Sequence, residues 1–157
     1  PRARAACVPV ACLTARLLHY DGRSRPAVQV LETADRVARL DEDLASLLRW
    51  ITQVTHLPPE EALFEIGTGP GVMESIPAAV YCFLKHPRDF SAAVLAAVNA
   101  GDAADSIAAL AGCFVGALAG ETEIDRQWLR EVENSELLTG VGENLALLIG
   151  QPGIGEA

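Results

Sequence analysis

The chain has 157 residues, 50% of them hydrophobic, with 12 Lys and Arg against 21 Asp and Glu and a formal charge of −9. That much apolar material supports a sizeable core and excludes a disordered chain, while the negative balance repels nucleic acid and anionic membranes. Basic residues gather at Arg2, Arg4, Arg16, Arg23 and Arg25, but no aromatic side chains interleave with them to stack bases, which argues against nucleic-acid binding.

Apolar residues recur at helical spacing along the whole chain. Residues 4–19 place Cys7, Val8, Ala11, Leu13 and Leu17 three and four apart, which predicts a core-facing helix that stops before Pro26. Pro26 opens a second periodic segment through Val28, Val30, Leu31, Val37 and Leu40. The third, 41–55, starts with Asp41, Glu42 and Asp43, where the positive end of a helix dipole favours acids, and puts Leu44, Leu47, Leu48 and Ile51 on one face. Pro58 and Pro59 permit only a short helical turn, and Gly67, Gly69 and Gly71 mark a loop. Helices are expected again over 72–85, 88–99, 103–119 and 124–149, punctuated by His86-Pro87, Gly101 and Gly120. No stretch alternates as a strand would, so the expected fold is all-α, a compact multi-helix bundle over 1–150 with a loose tail at 151–157.

Cys7, Cys12, Cys82 and Cys113 match no zinc spacing and lie in apolar helical surroundings, which predicts buried, reduced thiols and a cytoplasmic setting. No run has the length and flanks of a membrane span, since 103–119 is built from Ala and Gly rather than Leu and Phe, and no secretory leader is visible. His19, His56 and His86 are far apart, and His86 before Pro87 reads as a helix end. Glu60, Glu61 and Glu65 read as a solvated face, and Trp50 and Trp128 as packing residues. Glu74, one turn into the helix after the glycines, reads either as an ordinary first-turn acid or as a hydrogen-bond partner for a ligand.

The segment from Asn99 to Gly120 holds two acids, Asp102 and Asp105, before a run from Ile107 to Ala119 without any charged side chain. One reading makes Asp102 a helix cap and leaves Asp105 and Ser106 as polar residues of a first turn. The other starts from that uncharged helix, which is expected to be surrounded by its neighbours, so that carboxylates at its mouth need compensation. A hard divalent cation takes oxygen ligands, and two Asp carboxylates with the Ser106 hydroxyl are suitable, although more ligands are needed.

Gly101-Asp102-Ala103-Ala104-Asp105-Ser106, running into that Ala/Gly-rich helix, resembles the C-terminal metal motif of the ADP-ribosylglycohydrolases, the family of dinitrogenase reductase-activating glycohydrolase. Upstream, 66–101 is similar to the family's glycine loop and the two helices that follow it, and 1–18 to the segment just after its Thr-His motif. The resemblance implies an all-helical fold with a binuclear Mg²⁺ site, hydrolysing the glycosidic bond that joins ADP-ribose to a protein side chain or a small acceptor. By position it makes Asp105 and Ser106 metal ligands, with Asp102 beside them, and makes Gly67, Thr68 and Gly69 the ligand-facing loop.

The first Asp of the family motif falls at Ala103 in an ungapped match, with Asp102 one residue early, and Pro70 stands where the family often has an aromatic residue. The Thr-Asp-Asp-Thr type motif of the family's amino-terminal half has no counterpart, and Asp41-Glu42-Asp43 reads as a helix start instead. The chain therefore corresponds to the carboxy-terminal half of that fold, and no catalytic residue is assigned. Two functions follow: a Mg²⁺-dependent ADP-ribosyl hydrolase completed by an amino-terminal half, or a non-catalytic binding or structural module that has lost the metal, as in relatives used as eye-lens crystallins. Apolar surface left by a missing half would favour self-association or a complementing partner.

Overall fold

The computed structural model describes residues 2–149; the expected tail at 151–157 lies outside them. No strand occurs among the described residues, as expected of an all-α chain. The helices are α1 (Arg2–Leu18), α2 (Pro26–Val37), α3 (Glu42–Val54), α4 (Pro59–Ile66), α5 (Val72–Lys85), α6 (Phe90–Val98), α7 (Ala104–Ala119), α8 (Arg126–Glu131) and α9 (Ser135–Ile149), with a 3₁₀ turn at Glu121–Glu123. They fall into two units, divided between Glu123 and Ile124.

Aspartates or prolines start α2, α3, α4, α6 and α8. The Asp41 carboxylate accepts the Leu44 N–H at 3.1 Å and caps α3, so the acidic run at 41–43 is a helix start. Asp89 does the same for α6, accepting from Ala92 at 2.9 Å, while Pro26 and Pro59 open α2 and α4, where a missing N–H costs nothing. His86 ends α5.

In the first unit α5 is the central rod. Every residue from Ser75 to Phe83 is buried, and α1, α2, α3, α4, α6 and α7 all pack against this helix. The helix expected at the centre, α7, packs on α1, α5 and α6 through Ile107, Ala111, Gly112, Phe114 and Val115, but leaves Ala109 and Cys113 exposed. Alanine and glycine carry no charge yet little apolar area, so an uncharged helix made of them does not have to be enclosed. Phe114 meets Phe83 edge-on, with ring centroids 5.9 Å apart at 61°, and joins α7 to α5.

The α1 stripe is phased differently from expectation. Ala6, Leu13 and Leu17 are buried, whereas Cys7 and Ala11 face outward. The thiols are likewise not uniformly buried: Cys82 is, Cys12 is half-buried, and Cys7 and Cys113 are exposed. On α2 the buried residues are Val30, Thr33, Ala34 and Val37, while Val28 and Leu31, and Leu40 in the turn beyond the helix, are exposed.

Trp50 packs against the core. The α5 side chains also hold the connection that leads into α4. The Tyr81 hydroxyl donates to the Leu57 carbonyl at 2.8 Å, and Lys85 Nζ donates to the carbonyls of Thr55 and Leu57 at 3.1 and 2.7 Å.

In the second unit the single helix expected over 124–149 is divided. Val132 is extended and Asn134 has φ +59, a left-handed conformation that asparagine tolerates, and the Ser135 hydroxyl donates to the Leu129 carbonyl at 2.7 Å. Trp128 is half-buried on α8, and α9 exposes Leu137, Leu138, Val141, Leu145, Leu147 and Leu148.

Replacing Phe114 with Ala removes the ring that joins α7 to α5 and leaves a cavity, so denaturant unfolding should show a loss of about 3–5 kcal/mol. Burial pushes the Tyr81 hydroxyl up to about 12 from an ordinary 10.0, so the folded chain keeps a proton that the unfolded chain releases. Stability is then fully present below pH 10 and falls as pH rises towards 12. Thermal unfolding across that range should show a shallower alkaline decline in Tyr81→Phe than in the unsubstituted chain.

Candidate functional site

The loop between α4 and α5 meets the start of α7, and this junction holds the residues of both sequence motifs. Gly67 ends α4 with φ +87, a left-handed conformation that suits glycine, and its N–H donates to the Leu63 carbonyl. Thr68 follows and makes two bonds across the junction. Its carbonyl accepts the Ala103 N–H at 3.0 Å, and its hydroxyl donates to Asp102 Oδ2 at 3.2 Å.

Asp102 is not the helix cap. Ala103 occupies that position, makes no side-chain cap bond and leaves Asp102 one residue outside. Gly101 and Asp102 are both left-handed, with φ +81 and +46, which turns the chain sharply ahead of α7 and brings the Asp102 carboxylate to Thr68. Asp105 lies in the first turn of α7, and its Oδ1 accepts the Ser106 N–H at 2.7 Å. Asp102, Asp105 and Ser106 are all exposed.

Gly67 and Gly69 have a reason that sequence reasoning did not find. Glu74 bends back from the first turn of α5, and its Oε2 accepts the Gly69 N–H at 2.9 Å. A Cβ on Gly67 would stand 2.6 Å from Glu74 Oε2 and 2.9 Å from its Cγ, and a Cβ on Gly69 would stand 2.8 Å from the same oxygen. The bare backbone makes room for a carboxylate of this chain. The available signal was the spacing itself, two glycines flanking one residue just ahead of a first-turn acid.

A cleft of about 400 Å³ opens between α4 and α6, lined by Glu60, Leu63, Phe64, Thr68, Ala96 and Asn99 among others. Thr68 thus borders the cleft and holds Asp102. Phe64, at its edge, is 90% exposed, an unusual state for an aromatic ring. Glu61 and Glu65 are exposed, as a solvated face should be.

The histidines form no metal-holding group among the described residues; His19, His56 and His86 follow the ends of α1, α3 and α5. Nor does any cluster of three His, Cys, Asp or Glu suited to a metal occur among the described residues. The donors at the α7 mouth are all oxygens, the right type for Mg²⁺, but Asp102, Asp105 and Ser106 are too few to complete a coordination shell. Their chemistry fits that ion in kind, and the remaining ligands would have to be water, substrate or other chain.

The chain matches the ADP-ribosylglycohydrolase family over residues 1–154. It is 31% identical over 114 residues to an uncharacterized protein of Archaeoglobus fulgidus, covering 73% of this chain and 36% of that protein. It is 31% identical over 87 residues to human ADP-ribosylhydrolase ARH3, covering 49% of this chain and 24% of the relative. With the ADP-ribosylarginine hydrolase Tri1 of Serratia proteamaculans the identity is 35% over 81 residues, covering 52% and 22%. The matched segments therefore span only about a quarter to a third of the relatives' own lengths. The all-helical bundle and a family match over nearly its whole length agree: this chain belongs to the ADP-ribosylglycohydrolase family.

Proposed function

We propose that the chain forms the carboxy-terminal part of a Mg²⁺-dependent ADP-ribosyl hydrolase, which cleaves the glycosidic bond between ADP-ribose and a protein side chain or small acceptor. The observation that carries this reading is the pair of Thr68 bonds, which bring the glycine loop and the acidic mouth of α7 together although 34 residues separate Thr68 from Asp102. In this reading Asp105 and Ser106 hold the metal with Asp102 beside them, and Gly67, Thr68 and Gly69 face the ligand. A bound Mg²⁺ would supply positive charge that orients ribose hydroxyls and a water. The names of ARH3 and Tri1 support a substrate carrying ADP-ribose.

The competing reading is a non-catalytic module that has kept the scaffold. It is favoured by Ala103, which offers no side-chain oxygen at the motif's first ligand position. A cytoplasmic setting is supported by the free thiols of Cys12, Cys82 and Cys113, and no described helix is long and apolar enough to cross a membrane. Exposed Phe64, Leu95 and Val98 support self-association or a complementing amino-terminal half.

Calorimetry with Mg²⁺ and then ADP-ribose separates the two readings, applied to this chain and to a longer polypeptide carrying the preceding part of the family fold. The longer protein should bind both, and Asp105→Ala should weaken Mg²⁺ binding about tenfold or more, equivalent to about 1.4 kcal/mol or more. No heat from the longer protein would leave the non-catalytic module. Sedimentation of the present chain alone should show association, and a monodisperse monomer would count against a complementing surface.

A further inference from the structure

We infer that Glu74 is a positioning residue: its carboxylate sets the place of the glycine loop and, through Thr68, the placement of Asp102 and the first turn of α7. The mechanical coupling stands on geometry alone. Only its relevance to a metal rests on the proposed function.

The coupling begins in the core. Glu74 extends from the first turn of α5, and the next nine residues of that helix, Ser75 to Phe83, are all buried, so the backbone carrying Glu74 is held by packing on six other helices. The loop ahead of it is held twice from this base. The Gly71 carbonyl accepts the N–H groups of Glu74 and Ser75, each at 2.9 Å, while the Glu74 side chain reaches further back to the Gly69 N–H.

Thr68 lies between two glycines, which offer no side chains of their own to anchor it and have the widest backbone freedom of any residue. In their place the carboxylate occupies the space that a Cβ at Gly67 or Gly69 would enter. The Glu74 side chain is therefore the object against which the loop rests. From there the link continues through the Thr68 carbonyl to Ala103 N–H and through the Thr68 hydroxyl to Asp102. The two Thr68 bonds meet the chain at Ala103 and at Asp102, whose left-handed φ of +46 turns it into α7.

A cap that merely strengthened the start of α5 would leave the far side of the junction unaffected. Amide hydrogen exchange read by NMR on the full chain discriminates the two roles. Glu74→Ala should raise exchange at Gly69 and at Ala103 tenfold or more, with the core amides of Val80 and Val115 unchanged. Glu74→Gln, which keeps an acceptor oxygen at the same reach, should restore both. Gly69→Ala, which puts a methyl against the carboxylate, should expose Ala103 as Glu74→Ala does, and it keeps the test open if Glu74→Ala fails to fold.

Faster exchange at Gly69 without any change at Ala103 would overturn the inference, as would an equal rise at Val80 and Val115. Where Mg²⁺ binds, Glu74→Ala should weaken it several-fold and Glu74→Gln should not. Absence of Mg²⁺ binding by the unsubstituted longer polypeptide would defeat the functional reading and leave the exchange result to decide the coupling.

Discussion

Thr68 joins two stretches of chain that lie 34 residues apart. Its carbonyl and hydroxyl both act on the segment entering α7, one on an amide and one on a carboxylate. A backbone bond of this kind fixes position, and the second bond fixes the direction of a side chain. Both contributions are individually modest, about 0.5–1.5 kcal/mol for a typical bond. Their effect is geometric: the loop after α4 and the turn before α7 become one surface, carried by α5 from below and bordered by the cleft against α6.

That surface depends on α5 being the most deeply packed helix. Tyr81 and Lys85 hold the connection into α4 from one end of it, and Glu74 holds the loop leaving α4 from the other. A short helix of eight residues between two prolines and three glycines would be marginal by itself. Here its entry and its exit are both tied to the same rigid rod, which explains how so brief an element can place Thr68. The apolar contacts of Ala62, Leu63 and Ile66 bury its inner face and complete the attachment.

The helical architecture was legible because periodicity and breakers agree. The spacing at 72–85 and the acidic start of α3 correspond to the observed elements, since a continuous apolar face or a capping Asp acts locally. Which helix lies deepest was not legible. Charge-free Ala and Gly in α7 look like core in a sequence, but burial follows from the area available and from what packs alongside, and α5 presents Ile76, Val80, Tyr81 and Phe83 to its neighbours. The division between α8 and α9 was also hidden, because Asn134 is an ordinary polar residue until its left-handed backbone is seen. At the candidate site the motif residues were visible as letters, whereas the Thr68–Asp102 and Gly69–Glu74 bonds join positions that no helical period relates.

The carboxylates of this acidic chain are engaged in chemically different ways, and the difference bears on which of them could meet a cation. Asp41, Asp89 and Asp125 each accept an N–H that begins a helix, and Glu74 accepts the N–H of Gly69. Withdrawing any of these leaves an amide without its partner, a cost the local structure would feel directly. Asp102 is bonded to a hydroxyl instead. A threonine hydroxyl turns about its own bond and both donates and accepts, so it can be satisfied by water when the carboxylate is needed elsewhere. Asp102 is also exposed, and its backbone is positioned by Gly101 and the Ala103–Thr68 bond rather than by its own side chain. Its carboxylate is thus held in direction by a group that water can satisfy in its place, unlike the carboxylates that begin helices, whose loss would strand a backbone amide.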